Sequence, residues 1–578
     1  MNIREIAARH RLLLGGGIVL GLLGAAASLA QPWLIGRLVE AVAGDESLAW
    51  PIALIALMFT ADAVFAAGHA YLIGRAGENI VHDMRQLLVG RLLRADTAAF
   101  ARLDRGDVFT RVVTDTSSAR IPLSQALAQI VTHGFTVVGG MTLMALIDWR
   151  LLLLTVGCLG GASLVSLVLA RRVRRASLTN REDTGAFGSG VQRVMSALST
   201  VKAFRAEQRE SERVGGLADT ARRSGARVHA YSAMFTPAMN VGTQLSLAVV
   251  IGWGMTRVAT GSMPLADLTA FVMYLFYLVS PLVLLFLAIG QLQQGRAAIT
   301  RVSELAAVPQ EEAGPAEPVV PARAPHAGPG PAPAVRFDHV SFGYGEDADV
   351  LRDVTFTVPE RGLTAIVGPS GAGKTTVLQL IERFYRHSSG TVQVGGTDVA
   401  AMPLDRLRGM IGYVEQQSSL MRGTVRDNLT YAAPDASDDD IARAVTLAGL
   451  RDVLAALPDG LDTELGEAGH GLSGGQAQRL AVARALLTRP RVVLLDEASS
   501  HLDSNAEAAL RDALAGVAAD CAVVTVAHRI STIAEAERIL VLEDGRIRAD
   551  GTHHDLLATD DLYRRLVSQQ LDAVGAPG

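Results

Sequence analysis

Cysteine and lysine are almost absent from this chain of 578 residues. The two cysteines, Cys158 and Cys521, lie far apart in segments of different character, so no disulfide framework is expected. Charge is scarce too, with 19% of residues Asp, Glu, Lys or Arg against 49% apolar. Part of the apolar surface should therefore face something other than water. The net charge of −5 argues against a nucleic-acid partner, because phosphate binding favours a basic surface. Basic residues split into 51 Arg and 2 Lys, which makes each surviving lysine informative. The length is too great for one core, since domains usually run to about 100–200 residues.

What the chain does have is long uncharged runs. Six stretches of its first 308 residues lack Asp, Glu, Lys and Arg, apart from one aspartate, Asp62. They are 12–36, 51–74, 121–147, 151–170, 230–256 and 268–295. A helix needs about 20 apolar residues to cross a ~30 Å hydrocarbon layer, so each run is long enough. The first is preceded by arginines and contains Ser28-Leu29-Ala30, which resembles a signal-peptidase site. It continues to Gly36, however, beyond the roughly 7–15 apolar residues of such a peptide, and reads as a retained membrane helix.

Segments 75–120 and 171–229 carry 8 and 13 basic residues, whereas 37–50, 148–150 and 257–267 carry one each. Positive charge marks the cytoplasmic side, which places both termini and the two long segments inside. Ala76–Phe100 and Glu182–Arg213 contain no proline and have helical spacing, so the membrane helices should extend into the cytoplasm. Short elements are expected at their tips, near Arg105–Asp115 and Asn180–Phe187. Asp62 lies in mid-span, where a charge costs ~2.5–3.5 kcal/mol, and should be neutral, paired or facing a wet cavity. It and His133 are candidate cargo contacts, with His69 and His133 possible partners for the carboxylate. An interhelical hydrogen bond is the competing structural role.

Eight of the 21 prolines fall between Pro309 and Pro333, so 309–334 reads as a linker. Strand-like and helix-like segments alternate over 335–578, as in a mostly parallel sheet flanked by helices. Within it, Gly368-Pro369-Ser370-Gly371-Ala372-Gly373-Lys374-Thr375, followed by Thr376, fits the phosphate-loop pattern between a strand and a helix. Glycines let backbone N–H groups curl around phosphate oxygens, and the helix N-terminus adds partial positive charge. Lys374 supplies a compact ammonium to the β- and γ-phosphates, where a planar guanidinium would not fit. Thr375 offers a hydroxyl to Mg²⁺.

The run Arg491–Leu495 ends in Asp496 and Glu497, two carboxylates at a strand terminus, where open α/β sheets hold their ligands. Asp496 is placed for Mg²⁺ and Glu497 for the proton of an attacking water. Ser473, with Gln476 three residues on, is a capping-box pattern, and Gly474 and Gly475 expose N–H groups at that helix start.

Leu472-Ser473-Gly474-Gly475-Gln476 matches the signature of ABC transporters, and almost the whole chain resembles the exporter-fold half-transporters of that family. The resemblance implies a six-helix membrane domain with long cytoplasmic extensions, joined to an α/β phosphate-loop domain that binds and hydrolyses ATP with Mg²⁺. It assigns Tyr344 to adenine stacking and Gln416 to Mg²⁺ and to relaying nucleotide state. His528 is assigned to the γ-phosphate and water, and Gly466-Glu467 to contact with the crossing cytoplasmic loops. It also implies ATP held between the phosphate loop of one subunit and the signature of another, hence a second half-transporter as partner, in a lipid bilayer with an unidentified cargo.

Glu497, His528 and Ser473–Gly475 are all present, so two copies would make two competent sites, and a homodimer is favoured over a heterodimer. Two positions depart from the family pattern. His501 stands where a small residue is usual, and Gln192 where a glutamate is common. A soluble ATPase bearing the signature is excluded by the spans. An importer built on the same fold is the alternative to export of a hydrophobic or amphipathic small molecule, lipid or peptide across a bacterial cytoplasmic membrane.

Overall fold

The computed structural model describes residues 3–311, 332–345, 349–416, 420–466, 471–496, 504–527, 529 and 533–575. The chain forms two compact units, one of 1–93 with 104–307 and the other of 94–103 with 308–578.

The first unit is helical. A short α1 (Ile3–Arg9) precedes α2 (Arg11–Ala43) and α3 (Ala49–Leu92), and α4 (Thr97–Ala101) belongs to the second unit. Then come α5 (Arg105–Thr110), α6 (Thr116–Arg120), α7 (Leu127–Ser196), α8 (Leu198–Ala203), α9 (Glu207–Ala233), α10 (Phe235–Ala259) and α11 (Leu265–Ala306). Glycines let α2 and α3 approach closely. A Cβ on Gly17 would meet Ile73 at 2.8 Å, and one on Gly21 would meet Thr132 of α7 at 2.4 Å and His69 at 2.7 Å. Small residues at helix contacts are how apolar helices pack where no hydrophobic effect drives them together.

Among the described residues four helical stretches are long and apolar enough to cross a membrane: 11–43, 49–92, 105–158 and 265–306. The spans read at 151–170 and 230–256 lie in α7 and α10, and on this measure a count of six is not reached. In the 49–92 helix only 6% of the most apolar window is buried, and Phe59, Leu146, Leu153 and Phe286 are exposed. Helices of a soluble core would hide such surface, so the exposure fits lipid.

The turn at 148–150 appears as a break inside α7, with Asp148 at φ −157° and ψ 108°. Its Oδ1 accepts from the N–H groups of Arg150 (2.9 Å) and Leu151 (3.0 Å), and the carboxylate pairs with Arg257. Asp148 thereby starts the second half of α7 as an N-cap does. On the long inner segments the structure corrects the expected tips. Residues 180–187 are interior to α7, which runs on unbroken from Asp148 to Ser196, and the short element comes after it, as α8. Arg105–Asp115 is already the start of the next long helical run, as α5 and a π-helical turn, and the short element ahead of it is α4. A second π-turn spans Ile121–Ala126, where Pro122 has no N–H to give the helical ladder.

The second unit contains β1 (Val335–Phe342), β2 (Leu351–Val358), β3 (Gly362–Val367), β4 (Ser389–Val394), β5 (Thr397–Asp398) and β6 (Ile411–Val414). It continues with β7 (Gly423–Thr424), β8 (Glu464–Leu465), β9 (Val492–Asp496), β10 (Ala522–Val526), β11 (Arg538–Glu543) and β12 (Arg546–Gly551). Strands β12-β11-β3-β10-β9-β6 form the main sheet, parallel except for β12, beside an antiparallel sheet β2-β1-β4-β5. Both β3 and β9 are buried along their whole length, as central parallel strands are. Their alternate residues feed two cores: Leu363, Val367 and Leu495 on one face, Ile366, Val492 and Leu494 on the other. The flanking helices are α12 (Lys374–Ile381), α13 (Leu404–Gly409), α14 (Val425–Thr430), α15 (Asp438–Leu447), α16 (Arg451–Ala456), α17 (Gly474–Leu487) and α18 (Ser504–Ala518).

Candidate nucleotide site

Three of the parallel strands end at one crevice, as α/β ligand sites do. The phosphate loop links β3 to α12, Asp496 ends β9, and Gln416 lies two residues beyond β6. The loop's shape depends on its glycines. Gly368 has φ +156°, and a Cβ there would sit 2.1 Å from the Leu542 carbonyl oxygen. Gly373, at φ +99°, is the left-handed N-cap of α12, and a Cβ there would strike Leu351 at 2.7 Å. Both are conformations that only glycine adopts at low cost.

Lys374 is 6% exposed, and its Nζ donates to the carbonyls of Gly368 and Pro369, both at 2.9 Å. The ammonium is thus held against its own loop. Beside it the Thr375 hydroxyl donates to Asp496 Oδ1 at 3.0 Å, and Asp496 is also 6% exposed. A hydroxyl and a carboxylate oxygen side by side at the end of a phosphate loop are hard oxygen donors suited to Mg²⁺.

Tyr344 reaches the same helix. Its hydroxyl contacts Thr376 Oγ1 and donates to Gln379 Oε1, each at 2.8 Å. Its ring stands edge-on to Phe342 and Tyr385, both with centroids 5.0 Å away, which fixes the plane a base would stack on. Burial pushes the phenol's pKa up, so the hydroxyl stays protonated and able to donate. Gln379 and Tyr385 had no motif to announce them; their signal is their spacing from Lys374 on and after α12.

The signature segment forms the capping box its spacing predicts. Ser473 N–H donates to Gln476 Oε1 (2.8 Å) and Gln476 N–H to Ser473 Oγ (3.3 Å), leaving Gly474 and Gly475 as the first turn of α17. Glu497, His501, Glu467 and His528 lie outside the described residues. Gln192 lies in α7, near its C-terminal end.

In the helical unit, Asp62 reaches α2, since a Cβ on Gly24 would meet its Oδ1 at 3.3 Å. His69 does not turn to it; its Nδ1 is 2.7 Å from the Gly17 carbonyl oxygen. His133 follows Thr132, which packs at Gly21, and among the described residues no hydrogen bond joins Asp62 to either histidine.

A phosphate loop with a strand-end acid, fused to helices exposing apolar faces, defines a membrane transport ATPase. Residues 14–282 match the model of the ABC transporter transmembrane region, and residues 351–500 the ABC transporter domain. A multidrug resistance ABC transporter ATP-binding and permease protein of Lactococcus lactis is 29% identical over 559 residues, covering 96% of this chain and 92% of the relative. A fatty acid ABC transporter ATP-binding/permease protein of Mycobacterium bovis is 31% identical, covering 92% and 82%. A solved bacterial Atm1-family ABC exporter with ATP bound superposes with a TM-score of 0.78 at 28% identity, covering 98% of this chain and 99% of that one. The chain belongs to the ABC transporter family and has its half-transporter exporter fold. Its activity is ATP hydrolysis coupled to export, and the import alternative is not favoured.

Proposed function

We propose that the working pump is a dimer of two copies of this chain in a bacterial cytoplasmic membrane, with both nucleotide domains in the cytoplasm. Each copy would contribute six spans within residues 1–308, a linker at 309–334 and a nucleotide domain at 335–578. The observation that carries the nucleotide chemistry is the Thr375–Asp496 contact at the mouth of the phosphate loop, beside the buried Lys374. A Mg²⁺ ion held by Thr375, Asp496 and Gln416 would neutralise charge developing on the phosphates.

The chain's own groups do the rest. Backbone N–H groups of 371–376 and the Lys374 ammonium orient the phosphates, and Tyr344 stacks on the base. Glu497 takes the proton of the attacking water at its carboxylate, and His528 orients that water against the γ-phosphate. Ser473, Gly474, Gly475 and Gln476 of the second copy close the site, because α17 presents free N–H groups at its capped start. ATP therefore favours the joined state and hydrolysis releases it, which is a population shift between inward- and outward-facing arrangements.

Cargo of hydrophobic or amphipathic character suits a membrane unit with few charges. Asp62, and His133 further along the bundle, are the polar groups proposed to meet it. The matched relatives from Lactococcus and Mycobacterium, named for multidrug resistance and for fatty acids, support that class.

The test is to express this chain alone, reconstitute it in lipid nanodiscs, and measure particle mass and Mg²⁺-dependent ATP turnover. A two-copy particle with turnover is expected. A monomer without turnover, rescued by a second half-transporter, would replace the homodimer with a heterodimer.

A further inference from the structure

The chain passes between its two units at three places: after Leu93, after Leu103 and after Ala307. The first and third of these crossings are tied together inside the second unit. Ala95 forms an antiparallel bridge with Gln310, Asp96 N–H donates to the Pro309 carbonyl at 2.8 Å, and Glu311 N–H donates to the Arg94 carbonyl at 2.9 Å. The start of the linker is therefore pinned by an isolated bridge and two backbone hydrogen bonds to the residues that lead into α4. Asp96 also caps α4, accepting from Ala99 N–H at 2.9 Å.

One side chain fastens this knot to the nucleotide domain. The Glu311 carboxylate accepts from both terminal nitrogens of Arg408, at 2.9 and 2.8 Å, and from the Thr97 hydroxyl at 3.2 Å. Such a bidentate pair fixes direction as well as distance. The Glu311 side chain is 19% exposed. Burial would raise its pKa, yet Arg408 and Thr97 hold it below the ordinary range, so it is charged. Arg408, on α13, lies over the Phe384 ring at 5.1 Å. Phe384 packs edge-on against Tyr413 of β6, with centroids 5.9 Å apart, and Gln416 follows three residues later. Phe384 also lies just past the end of α12, the helix that the phosphate loop opens.

We propose that Glu311 is a positioning residue for the transport cycle, transmitting movement of the phosphate-loop helix and the Gln416 strand through Arg408 to α4 and the linker. Glu311 is not among the residues proposed to hold nucleotide or cargo. The proposal rests on the ATP-driven transport that the family establishes, and not on the homodimer or on Asp62.

Two variants separate transmission from simple bracing. Glu311→Gln keeps the shape and loses the charge; Glu311→Arg with Arg408→Glu restores a pair with its sense reversed. Full-length protein in nanodiscs is given ATP, Mg²⁺ and vanadate, and hydrogen–deuterium exchange is followed at the phosphate loop and in α2, α3 and α11. For Glu311→Gln, basal ATP turnover is expected within about twofold of the native chain, with protection of the phosphate loop retained. The trapping response of the membrane helices should be lost, and the reversed pair should recover at least half of it. A full membrane response in Glu311→Gln would overturn the proposal. So would loss of phosphate-loop protection together with the membrane response in both variants, which is the mark of a structural brace.

Discussion

The two units of this protein are specified in different ways. In the nucleotide domain single positions matter, because each has one geometry to satisfy: Gly368 against a carbonyl, Lys374 over its loop, Thr375 against Asp496. In the helical unit character matters more than identity. Long apolar faces are exposed, and the constraints are smallness at Gly17 and Gly21 and a cap at Asp148. A site that must hold phosphates tolerates little substitution, whereas a lipid-facing surface has only to stay apolar.

The two lysines give the largest expected contrast, since one lies in each unit. Lys374→Arg keeps the charge but puts a planar fork into the phosphate cradle, and ATP affinity should fall by at least about tenfold. Lys202, exposed and paired with Glu207 at 3.3 Å, accepts the same change, and Lys202→Arg should leave binding and turnover unaltered. Equilibrium nucleotide binding checks both; equal effects would erase the distinction between the units.

A smaller effect comes from Glu382, just past α12. Burial pushes its carboxyl up to about 7 from an ordinary 4.5, with Arg408 opposing. The folded domain therefore keeps a proton that the unfolded chain releases, and this contribution is complete below about pH 4.5 and lost as pH rises through 7. Glu382→Gln should flatten the decline, worth about 3 kcal/mol between pH 4.5 and 8, in denaturation of the full chain followed at the nucleotide domain. A variant with the native pH profile would show that the carboxyl titrates normally.

The same contrast governs what the sequence alone could convey. The α/β fold, the phosphate loop and the Ser473–Gln476 cap were legible because fixed spacings encode local hydrogen bonds, and those bonds are present. The turn at Asp148 was legible from charge. The tips of the long helices were not, because α7 runs past Asn180–Phe187 without proline or cap, and helical periodicity says nothing of where a helix ends. Glu311 was hidden for another reason. Its partners Thr97 and Arg408 are remote in sequence, and it stands at the edge of a proline-rich segment that reads as linker.

This chain is an ATP-driven pump, and its proposed site would bind and hydrolyse ATP in separable steps. Glu497→Gln is the test, because it removes the proposed proton acceptor and keeps the loop, Lys374 and Asp496. Retained ATP, measured on the reconstituted protein, with turnover lowered by roughly 100-fold or more, is the predicted result. Near-native turnover in that variant would exclude Glu497 as the group that accepts the water's proton.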